Sequence, residues 1–514
     1  MDWDTRRRMS VFGEGVGRIC AVVAGSTAAE MAEQVRCALK ETKTVELRLD
    51  WLRSDTERSR FLNWLKTDTP KKATFLATCR RREGRGKFAG DVDRELYWLM
   101  QAREAGCQWC DLEVETLRKL PDQSVREFPV PPRVLLSVHD FERTPVLPRS
   151  MSPPAHGGAD AVKIAAKANT IADSVRLLKL ARRSKNFVAV PMGEAGLPAR
   201  VLALRAGSAL AYAPVAEATA PGQVSLEEMT HLYRAHALNR RTRVYGVIGD
   251  PVGHSLSPLL HNTGFVARHV DAVYLPFLVR QLGDFLAAVP EFRVRGFSVT
   301  LPHKQTILKH LKECEPLAAE IGAVNTVMVR SNGSLYGCNT DYVSVLRVLE
   351  KKLRIKGSRA LIFGAGGSAR AAAFALKRAG AVVAICARRE IAAKELARAV
   401  GGEVVPRRAL RTEYFDAILN ATPLGMYPHD GISPLAPGEL HCRIVMDLIY
   451  RPQRTQLLKI AAKKGIATVS GVEMFLAQGM AQWEIWTGRR APEAAMRRAV
   501  LGALRAEEKS RQRA

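Results

Sequence analysis

Two regions of the 514-residue sequence place reactive side chains where they could do chemistry, and the first surrounds Lys163. This lysine lies between Val162 and Ile164 in an apolar segment, and His139 ends the preceding apolar segment. Desolvation among apolar neighbours favours a neutral amine, which can turn a ketone into an iminium and make the adjacent C–H acidic. On position alone, an ion pair buried in a core explains Lys163 equally well.

The second region is a glycine-rich loop, Gly364-Ala365-Gly366-Gly367-Ser368. It follows a predicted strand over Arg359 to Phe363, precedes a predicted helix over Ala369 to Ala379, and is completed by a strand over Val382 to Ala387. Glycines allow the backbone to approach a pyrophosphate at the N-terminus of the helix. This βαβ pattern therefore predicts a dinucleotide-binding domain.

The end of the last of these strands indicates which dinucleotide is bound. Enzymes that use NAD place an acidic residue here to accept the ribose hydroxyl protons. This chain instead has Arg388 and Arg389, followed at once by Glu390. Because guanidinium groups pair with a 2′-phosphate and cannot accept hydroxyl protons, we predict NADP as the cofactor.

Eight apolar, β-branched segments, mostly separated by helix-length intervals, precede the second region. Eight strands within about 220 residues match a (β/α)8 TIM barrel, whose active site lies at the carboxyl ends of its strands. One interval, Thr144 to Gly158, is rich in proline and glycine and is predicted to be a loop. The reactive side chains near the predicted strand ends are Glu46, Arg48, Arg80, His139 and Lys163. The predicted strands are Arg18 to Ala24, Thr44 to Asp50, Thr74 to Arg80, Trp109 to Glu115, Arg133 to His139, Asp160 to Ala165, Phe187 to Met192 and Ala209 to Pro214.

The predicted fold is α/β throughout, with an N-terminal TIM barrel followed by a two-lobed unit that contains a Rossmann-like domain. A polar, basic stretch over Ala235 to Arg243 ends the barrel, and a new strand begins at Val244. We predict an N-terminal extension over 1–17, the barrel over 18–238, a substrate-binding lobe over 243–348, the dinucleotide-binding domain over 349–471, and C-terminal helices with a basic tail over 472–514.

The composition restricts the partners of this chain. It carries 78 Lys and Arg against 51 Asp and Glu, a formal net charge of +27. Clustered cations bind nucleic acid, but these arginines are scattered through every segment, so nucleic-acid binding is disfavoured. A positive field also gathers small anionic substrates. Since no apolar run approaches the roughly 18 residues of a membrane span, no membrane partner is predicted.

Cysteine usage and the N-terminus predict a compartment. Nine cysteines, an odd number spread thinly, favour buried thiols in a reducing environment over a disulfide framework. The first 17 residues contain no apolar stretch long enough for a secretory signal, so a cytoplasmic location is predicted. Cys107 and Cys110 form a lone CxxC without a second pair or a suitably spaced histidine, so no metal site is predicted.

Five short motifs in the first half occur in an order that resembles the type I 3-dehydroquinate dehydratases. They are Val45 to Asp50, Thr78 to Arg80, Ser137 to Phe141, Val162 to Ala165 and Thr219 to Gln223. The resemblance implies that Lys163 forms an imine with the C3 ketone of 3-dehydroquinate, that His139 takes the α-proton and assists water loss, and that Glu46 orients His139. It also implies substrate contacts from Arg48, Arg80, Arg200, Thr219 and Gln223. The family's acidic residue after the strand-three arginine corresponds only loosely to Glu83.

From residue 244 nearly to its end, the sequence resembles the shikimate dehydrogenases. The motifs are Gly246 to Pro258, Gly296 to Lys304, Gly322 to Thr326 and Gly337 to Asp341, with Ser298 where many relatives have Asn. The resemblance implies that Lys304 and Asp341 are the catalytic pair in the reduction of 3-dehydroshikimate to shikimate. The implied substrate contacts are Ser255, Ser257, Thr300, Asn325, Tyr450 and Gln478. The implied cofactor contacts are Gly364, Gly366, Gly367, Ser368, Ala369, Arg388, Arg389, Thr422, Met426 and Gly471.

Together the two resemblances predict a bifunctional shikimate-pathway enzyme, a lyase joined to an NADP-dependent oxidoreductase. One alternative is a second half with broader specificity that also accepts quinate, although Ser255 and Ser257 favour shikimate. A second is a non-catalytic regulator of quinate use, which the intact Lys163, His139 and Lys304 argue against. The predicted partners are small-molecule substrates, and a homodimer is compatible with the sequence.

Overall fold

The computed structural model describes residues 12, 15–68, 72–120, 130–145, 158–182, 185–216, 222–427 and 430–513. By the density of its internal contacts the chain forms two units. The first comprises Met1–Thr242 and Leu275–Phe292, and the second comprises Arg243–Tyr274 and Arg293–Ala514. Each unit carries one of the two groups of reactive side chains.

The first unit contains an eight-stranded sheet in which the described pairings are parallel. Its hydrogen-bonded order is β7-β6-β5-β4-β3-β2-β1-β8, so β1 pairs with both β2 and β8. The sheet forms a nearly closed barrel, which confirms the predicted TIM-barrel fold. The strands are β1 (Ile19–Val23), β2 (Thr44–Arg48), β3 (Thr74–Thr78), β4 (Trp109–Glu113), β5 (Arg133–Asp140), β6 (Ala161–Lys167), β7 (Phe187–Met192) and β8 (Ala211–Pro214).

Ser208 bridges the two end strands of that order. Its hydroxyl accepts a hydrogen bond from Ala189 N–H in β7 at 3.1 Å and donates one to Leu210 O at 2.7 Å. Next to it, Ala209 N–H donates to Phe187 O at 2.8 Å. Ser208 is fully buried, so these bonds are shielded from water and help to close the barrel.

Helices alternate with the barrel strands and begin at recognisable caps. The Thr27 side chain accepts a hydrogen bond from Glu30 N–H, and Thr170 with Asp173 forms a capping box, so two helices begin where the sequence offers these groups. The helices are α1 (Ala28–Glu41), α2 (Asp55–Asp68), α3 (Val92–Glu104), α4 (Val114–Leu117), α5 (Ile171–Ala181) and α6 (Leu197–Ala206).

A second sheet, of six strands, follows the barrel in the order β10-β9-β11-β13-β14-β12. Strands β9 and β11 are parallel, whereas β13 is antiparallel to both β11 and β14. Because β9 and β11 end at the same edge, the loops that follow them meet there. The strands are β9 (Arg243–Gly249), β10 (Ala272–Leu278), β11 (Val294–Val299), β12 (Glu313–Cys314), β13 (Thr326–Val329) and β14 (Leu335–Cys338). The helices are α7 (Ser257–Ala267), α8 (Leu282–Phe292), α9 (Pro316–Ile321) and α10 (Asp341–Leu349).

A third sheet is parallel throughout its described pairings, with the order β17-β16-β15-β18-β19-β20. The strand order reverses between β15 and β18, which is where doubly wound sheets bind nucleotides, so the predicted Rossmann-like domain is confirmed. The strands are β15 (Arg359–Phe363), β16 (Val382–Cys386), β17 (Glu403–Val404), β18 (Phe415–Asn420), β19 (Cys442–Asp447) and β20 (Ala467–Val469). The helices are α11 (Gly367–Arg378), α12 (Glu390–Val400), α13 (Gln456–Lys463), α14 (Gly471–Thr487) and α15 (Glu493–Arg513).

The core of this last sheet is made of small and branched apolar residues, among them Ile362, Ala372, Ile385 and Leu419. Small side chains on α11 let the helix approach the sheet closely and so place its N-terminus over the ends of the strands. None of the described helices combines the length and the apolar character that a membrane crossing needs.

Two candidate active sites

Lys163 on β6 lies inside the barrel among carboxylates. Its ammonium group donates to Asp111 Oδ2, lies 3.8 Å from Glu46 Oε1, and sits 4.9 Å from the centre of the Tyr212 ring. Burial acts to raise the pKa of Asp111, but the positive charges of Lys163 and Arg80 outweigh it and hold that pKa at about 2. A cation at the position of the lysine nitrogen is therefore stabilised by a carboxylate.

His139 on β5 pairs with Glu113 at the end of β4. The imidazole Nδ1 lies 3.0 Å from Glu113 Oε2, and Glu113 Oε1 lies 2.7 Å from Arg80 Nε. Burial, reinforced by the charges of Arg80 and Lys163, holds the pKa of His139 well below its usual value. Burial also raises the pKa of Glu113 to about 7, against the lowering effect of Arg80. A neutral imidazole whose Nδ1–H faces a carboxylate presents its other nitrogen as a base.

Glu46, predicted to orient His139, does not contact the imidazole in the described structure, where the partner of His139 is Glu113. Glu46 instead accepts a hydrogen bond from Thr78 Oγ1 at 2.7 Å and faces Lys163. Sequence reasoning missed both Glu113 and Asp111. The signal was present, since residues two apart on a strand point to the same side, and these two carboxylates flank an apolar residue at the end of β4.

Arg80 and Arg48 have their guanidinium groups engaged. Besides its contact with Glu113, Arg80 lies 3.8 Å from Asp111 Oδ2. Arg80 was predicted to end β3, but the strand ends two residues earlier. Arg48 makes two bonds with Asp50, at 2.9 and 2.8 Å. Both arginines are thus held in place by carboxylates.

The remaining predicted residues of the first site are spread more widely. Arg200 on α6 is buried and donates to Pro191 O from Nε at 3.2 Å and from Nη2 at 3.0 Å, and burial lowers its pKa to about 10. Gln223 is half-buried, and Thr219 lies outside the described residues. Glu83 pairs at the surface with Arg81 and Lys119, at 2.6 and 2.8 Å, and does not join the Lys163 cluster.

In the second unit, a cavity of about 270 Å³ gathers the other group of predicted residues. The predicted substrate contacts that line it are Ser255, Ser257, Thr300, Asn325, Tyr450 and Gln478. The predicted cofactor contacts that line it are Gly366, Gly367, Ser368, Thr422 and Met426. The predicted cofactor contacts that lie elsewhere are Gly364, Ala369, Arg388, Arg389 and Gly471.

Lys304 and Asp341 form the centre of this cavity's polar wall. Lys304 Nζ donates to Asp341 Oδ2 at 2.6 Å and to Ser368 Oγ at 3.0 Å. The other carboxylate oxygen of Asp341 accepts a bond from Asn325 Nδ2 at 2.8 Å. Asp341 itself begins α10, and its N–H is held by Asn339 Oδ1 at 2.9 Å. An ammonium group fixed in this way can deliver a proton to a nearby oxygen.

Behind Asn325 runs a buried chain of hydrogen bonds that sequence reasoning missed. Ser298 Oγ lies 2.6 Å from Tyr274 Oη and donates to Gln482 Oε1 at 2.7 Å. Gln482 Nε2 in turn donates to Asn325 O at 3.1 Å and to Thr326 Oγ1 at 3.0 Å. Ser298 therefore links β11 to α14. The pairing joins residues more than a hundred positions apart, which no local pattern indicates.

Ser255 lies on the loop between β9 and α7, and Ser257 is the first residue of α7. Ser255 N–H donates to Val252 O at 3.1 Å, and Ser257 N–H donates to Ser255 Oγ at 3.2 Å. The Tyr450 ring stacks on Phe475 with 4.1 Å between ring centres. Burial raises the pKa of Tyr450, although its hydrogen bond with Ser255 opposes that rise. Three hydroxyl groups thus face one end of the cavity and can donate to a carboxylate.

The glycine-rich loop fits a pyrophosphate. Gly364 adopts a φ of +123°, which favours glycine. A Cβ on Gly367 would lie 2.8 Å from Lys304 Cβ, so α11 approaches Lys304 more closely than any side chain at position 367 would permit. A Cβ on Gly366 would meet nothing within 4 Å, and no side chain caps the helix there. The first N–H groups of α11 are therefore available to an anion.

Arg388 and Arg389 are exposed at the turn between β16 and α12. In the described parts of the chain neither arginine forms an ion pair, so both can pair with a phosphate group. Ala369 is fully buried in the core below the glycine loop and acts through packing.

The segment after β18 is fixed by buried polar groups. Asn420 Oδ1 accepts bonds from Thr422 N–H and Oγ1 at 3.0 and 2.7 Å, and Asn420 Nδ2 donates to Asp447 Oδ1 at 3.0 Å. Burial raises the pKa of Asp447 to about 6. A Cβ on Gly471 would lie 2.5 Å from Ile449 O, so that glycine permits close packing beside the segment. Thr422 is therefore held firmly at the wall of the cavity.

Family models match both halves of the chain. Residues 19–240 match type I 3-dehydroquinase, residues 247–327 match the shikimate dehydrogenase substrate binding domain, and residues 471–501 match the shikimate 5′-dehydrogenase C-terminal domain. A barrel with a buried lysine, followed by a dinucleotide-binding unit with a Lys–Asp pair, defines a fusion of a lyase with an oxidoreductase.

Individual relatives extend the comparison. A chloroplastic bifunctional 3-dehydroquinate dehydratase/shikimate dehydrogenase of Arabidopsis thaliana is 34% identical over 502 residues, covering 92% of this chain and 83% of the relative. A shikimate dehydrogenase (NADP(+)) of Methanosarcina acetivorans is 40% identical over 278 residues, covering 51% of this chain and 99% of the relative. The crystal structure of shikimate 5-dehydrogenase from Thermus thermophilus with NADP(H) and shikimate is 36% identical, with a TM-score of 0.47, and covers 51% of this chain and 100% of that one. The present chain belongs to the family of bifunctional 3-dehydroquinate dehydratase/shikimate dehydrogenases.

Proposed function

We propose that this chain catalyses two consecutive steps, the dehydration of 3-dehydroquinate to 3-dehydroshikimate and the reduction of that product to shikimate with NADPH. The observation that carries the proposal is the presence of both constellations in one chain. Lys163 lies buried among carboxylates beside a neutral His139, and Lys304 is held on Asp341 beside a glycine loop. The product of the first site is the substrate of the second.

The barrel site performs the dehydration through an imine. Lys163 Nζ attacks the C3 ketone as the neutral amine, and the proton that the ammonium group gives up leaves with the ketone oxygen as water. The resulting iminium carries its positive charge towards Asp111 and Glu46. The free nitrogen of His139 takes the α-proton, and the electron pair of that C–H bond moves into an enamine. His139 then returns its proton to the β-hydroxyl group, which leaves as water while the iminium forms again. Hydrolysis of this conjugated iminium releases 3-dehydroshikimate and restores the amine.

Glu113 keeps His139 in the tautomer that this sequence of steps needs, because it accepts the Nδ1–H. Arg48, Arg80 and Arg200 supply guanidinium groups for the carboxylate and hydroxyls of the substrate. Of these, Arg200 is bonded to a carbonyl oxygen and not to a carboxylate, so an incoming anion gains most from pairing with it.

Reduction with borohydride tests the imine. When enzyme and 3-dehydroquinate are mixed with borohydride, we expect irreversible loss of dehydratase activity and a stable adduct on the Lys163 peptide, located by mass spectrometry. Oxidation of shikimate by the same sample should persist, since the two sites lie in separate units. Lys163→Ala serves as the control and should take up no adduct. An adduct on a different lysine, or none on the wild-type chain, would contradict the mechanism.

In the dehydrogenase site, NADPH supplies a hydride when bound. Lys304 donates a proton to the alkoxide oxygen as it forms, and Asp341 holds the ammonium group in place. Ser255, Ser257 and Tyr450 hold the carboxylate of the substrate, while Thr300, Asn325 and Gln478 contact its hydroxyls.

The cofactor is held at two points. The N–H groups at Gly366, Gly367 and Ser368 would hold the pyrophosphate, and Arg388 with Arg389 would pair with the 2′-phosphate. Initial rates with NADP and NAD test the second point, and we expect kcat/KM to favour NADP by at least about tenfold. Equal use of both cofactors would show that neither arginine pairs with the 2′-phosphate. Rates with quinate in place of shikimate distinguish the broader alternative, in which both acids are oxidised with similar kcat/KM.

We also propose that the enzyme works in the cytoplasm. The nine thinly spread cysteines support a reducing compartment, and among the residues that the structure describes seven of these thiols are in the interior. Microscopy of a tagged chain in its native cell would test this location, and accumulation in an oxidising compartment would contradict it.

A further inference from the structure

Arg451 connects three parts of the second unit around the dehydrogenase cavity. Its Nη1 donates to His254 O at 2.5 Å, its carbonyl oxygen accepts from Tyr427 N–H at 3.4 Å, and its Nε lies 2.8 Å from Oε2 of Glu507. His254 belongs to the substrate loop, which we define as Val252 to Ser257. Tyr427 lines the cavity, and Glu507 lies on the C-terminal helix α15.

The bonds within the substrate loop run between near neighbours, from Ser255 N–H to Val252 O and from Ser257 N–H to Ser255 Oγ. Such bonds give the loop its shape without fixing it to the rest of the unit. The guanidinium of Arg451 reaches the loop from a different part of the chain and bonds to the residue just before Ser255. The loop is thus held from outside at two points, by the hydrogen bond between Tyr450 and Ser255 and by Arg451, and the backbone just before Ser255 depends on where Arg451 is held.

Glu507 is placed to hold it. The side chains of Arg451 and Glu507 are each 24% exposed, so the pair is largely shielded from solvent. Without a carboxylate partner a long arginine side chain regains rotamer freedom, which weakens its hold on the loop carbonyl. Helix α15 is itself anchored, because it packs along α7 and because Arg497 makes two bonds with Glu473, at 2.7 and 3.0 Å.

We propose that Glu507 is a positioning residue of the dehydrogenase, acting through Arg451 on the substrate loop to set the affinity for the substrate carboxylate. The proposal rests on the substrate role that we propose for Ser255 and Ser257. It assigns a function to the last turns of the C-terminal helix, which lie outside the cavity itself.

Steady-state oxidation of shikimate by the full chain tests the proposal with Glu507→Gln, which keeps the shape of the side chain and removes its charge. We expect the KM for shikimate to rise about threefold to tenfold, with kcat and the KM for NADP changed less than about twofold. Glu508→Gln, on the neighbouring residue of the same helix, is the matched control and should leave all three values unchanged. Dehydratase activity and thermal unfolding of each variant report on folding.

A double-mutant cycle with Arg451→Gln separates action through Arg451 from a general effect of charge. The double variant should be no worse than Arg451→Gln alone, since the two changes break one connection. An additive cycle, an unchanged KM in Glu507→Gln, or an equal effect of Glu508→Gln would each overturn the proposal. Ser255→Ala is measured alongside, because an unchanged shikimate KM in that variant would refute the substrate role of the loop and not the link from Glu507.

Discussion

The contact between Glu113 and His139 makes a sharp prediction about the dehydratase. The Glu113 carboxylate lies between two nitrogen groups: His139 Nδ1 is 3.0 Å from Oε2, and Arg80 Nε is 2.7 Å from Oε1. A glutamine has the same shape but offers one acceptor oxygen and one NH2 group. In Glu113→Gln the NH2 group must therefore face either the Arg80 guanidinium, which is a donor, or His139 Nδ1, which can accept only if the imidazole adopts the other tautomer and loses its free basic nitrogen.

The expected loss follows from this mismatch. A hydrogen bond with a charged partner contributes roughly 1.5–3 kcal/mol, and the Glu113 side chain is only 8% exposed, so solvent compensates little. If the oriented imidazole is needed in the transition state, this energy is lost from transition-state stabilisation. Since about 1.4 kcal/mol corresponds to a factor of ten in rate, kcat for dehydration should fall about tenfold to a hundredfold. The KM for 3-dehydroquinate should change less, because His139 acts after the substrate is bound.

The assay follows the enone absorbance of 3-dehydroshikimate over a range of pH. In the wild-type chain the pKa of Glu113 is raised to about 7, so its carboxylate forms as the pH rises through that value, and activity should rise with it. His139, whose pKa is depressed, is already neutral over this range. Glu113→Gln should lose this rise, whereas Glu115→Gln, on an exposed neighbour, should keep it. A kcat within twofold of wild type in Glu113→Gln, or an unchanged pH profile, would refute the reasoning.

Three further changes test the other parts of the structure. Asp341→Asn should lower kcat for shikimate oxidation by about a hundredfold with little change in the KM for NADP, since the carboxylate acts in the transition state; a raised KM alone would make it a binding group. Arg388→Asp should narrow or reverse the preference for NADP, measured as a ratio of kcat/KM values, while an unchanged ratio would place the arginine outside the phosphate site. Ser208→Ala removes the acceptor for a buried Ala189 N–H, so the unfolding free energy of the barrel should fall by about 1–3 kcal/mol. Chemical denaturation measures this loss, with dehydratase activity as the signal for the folded barrel. A loss below about 0.5 kcal/mol would show that β7 and β8 close the barrel without the hydrogen bonds of Ser208.

The fold could be predicted because its signals are local. Each barrel strand is a short apolar segment within a few residues of its observed bounds, and the glycine loop lies between a strand and a helix, as expected. Periodicity and turn chemistry act over a few residues, so they are visible in one sequence. The exact strand boundaries are harder to predict. The sequence pattern extends the third strand to Arg80, whereas the pairing of β3 ends at Thr78.

The sequence by itself determined the two α/β architectures, the residue types at both sites and the charge that favours NADP. Only the tertiary structure decided which groups touch: Glu113 and not Glu46 bonds to His139, Asp111 faces Lys163 from 52 positions away, and Gln482 reaches Ser298 across the second unit. These choices depend on strand register and on helix packing, which bring distant residues together without leaving a periodic signal. The depressed pKa of His139 has the same origin, because burial is a property of the folded chain and not of its sequence neighbours.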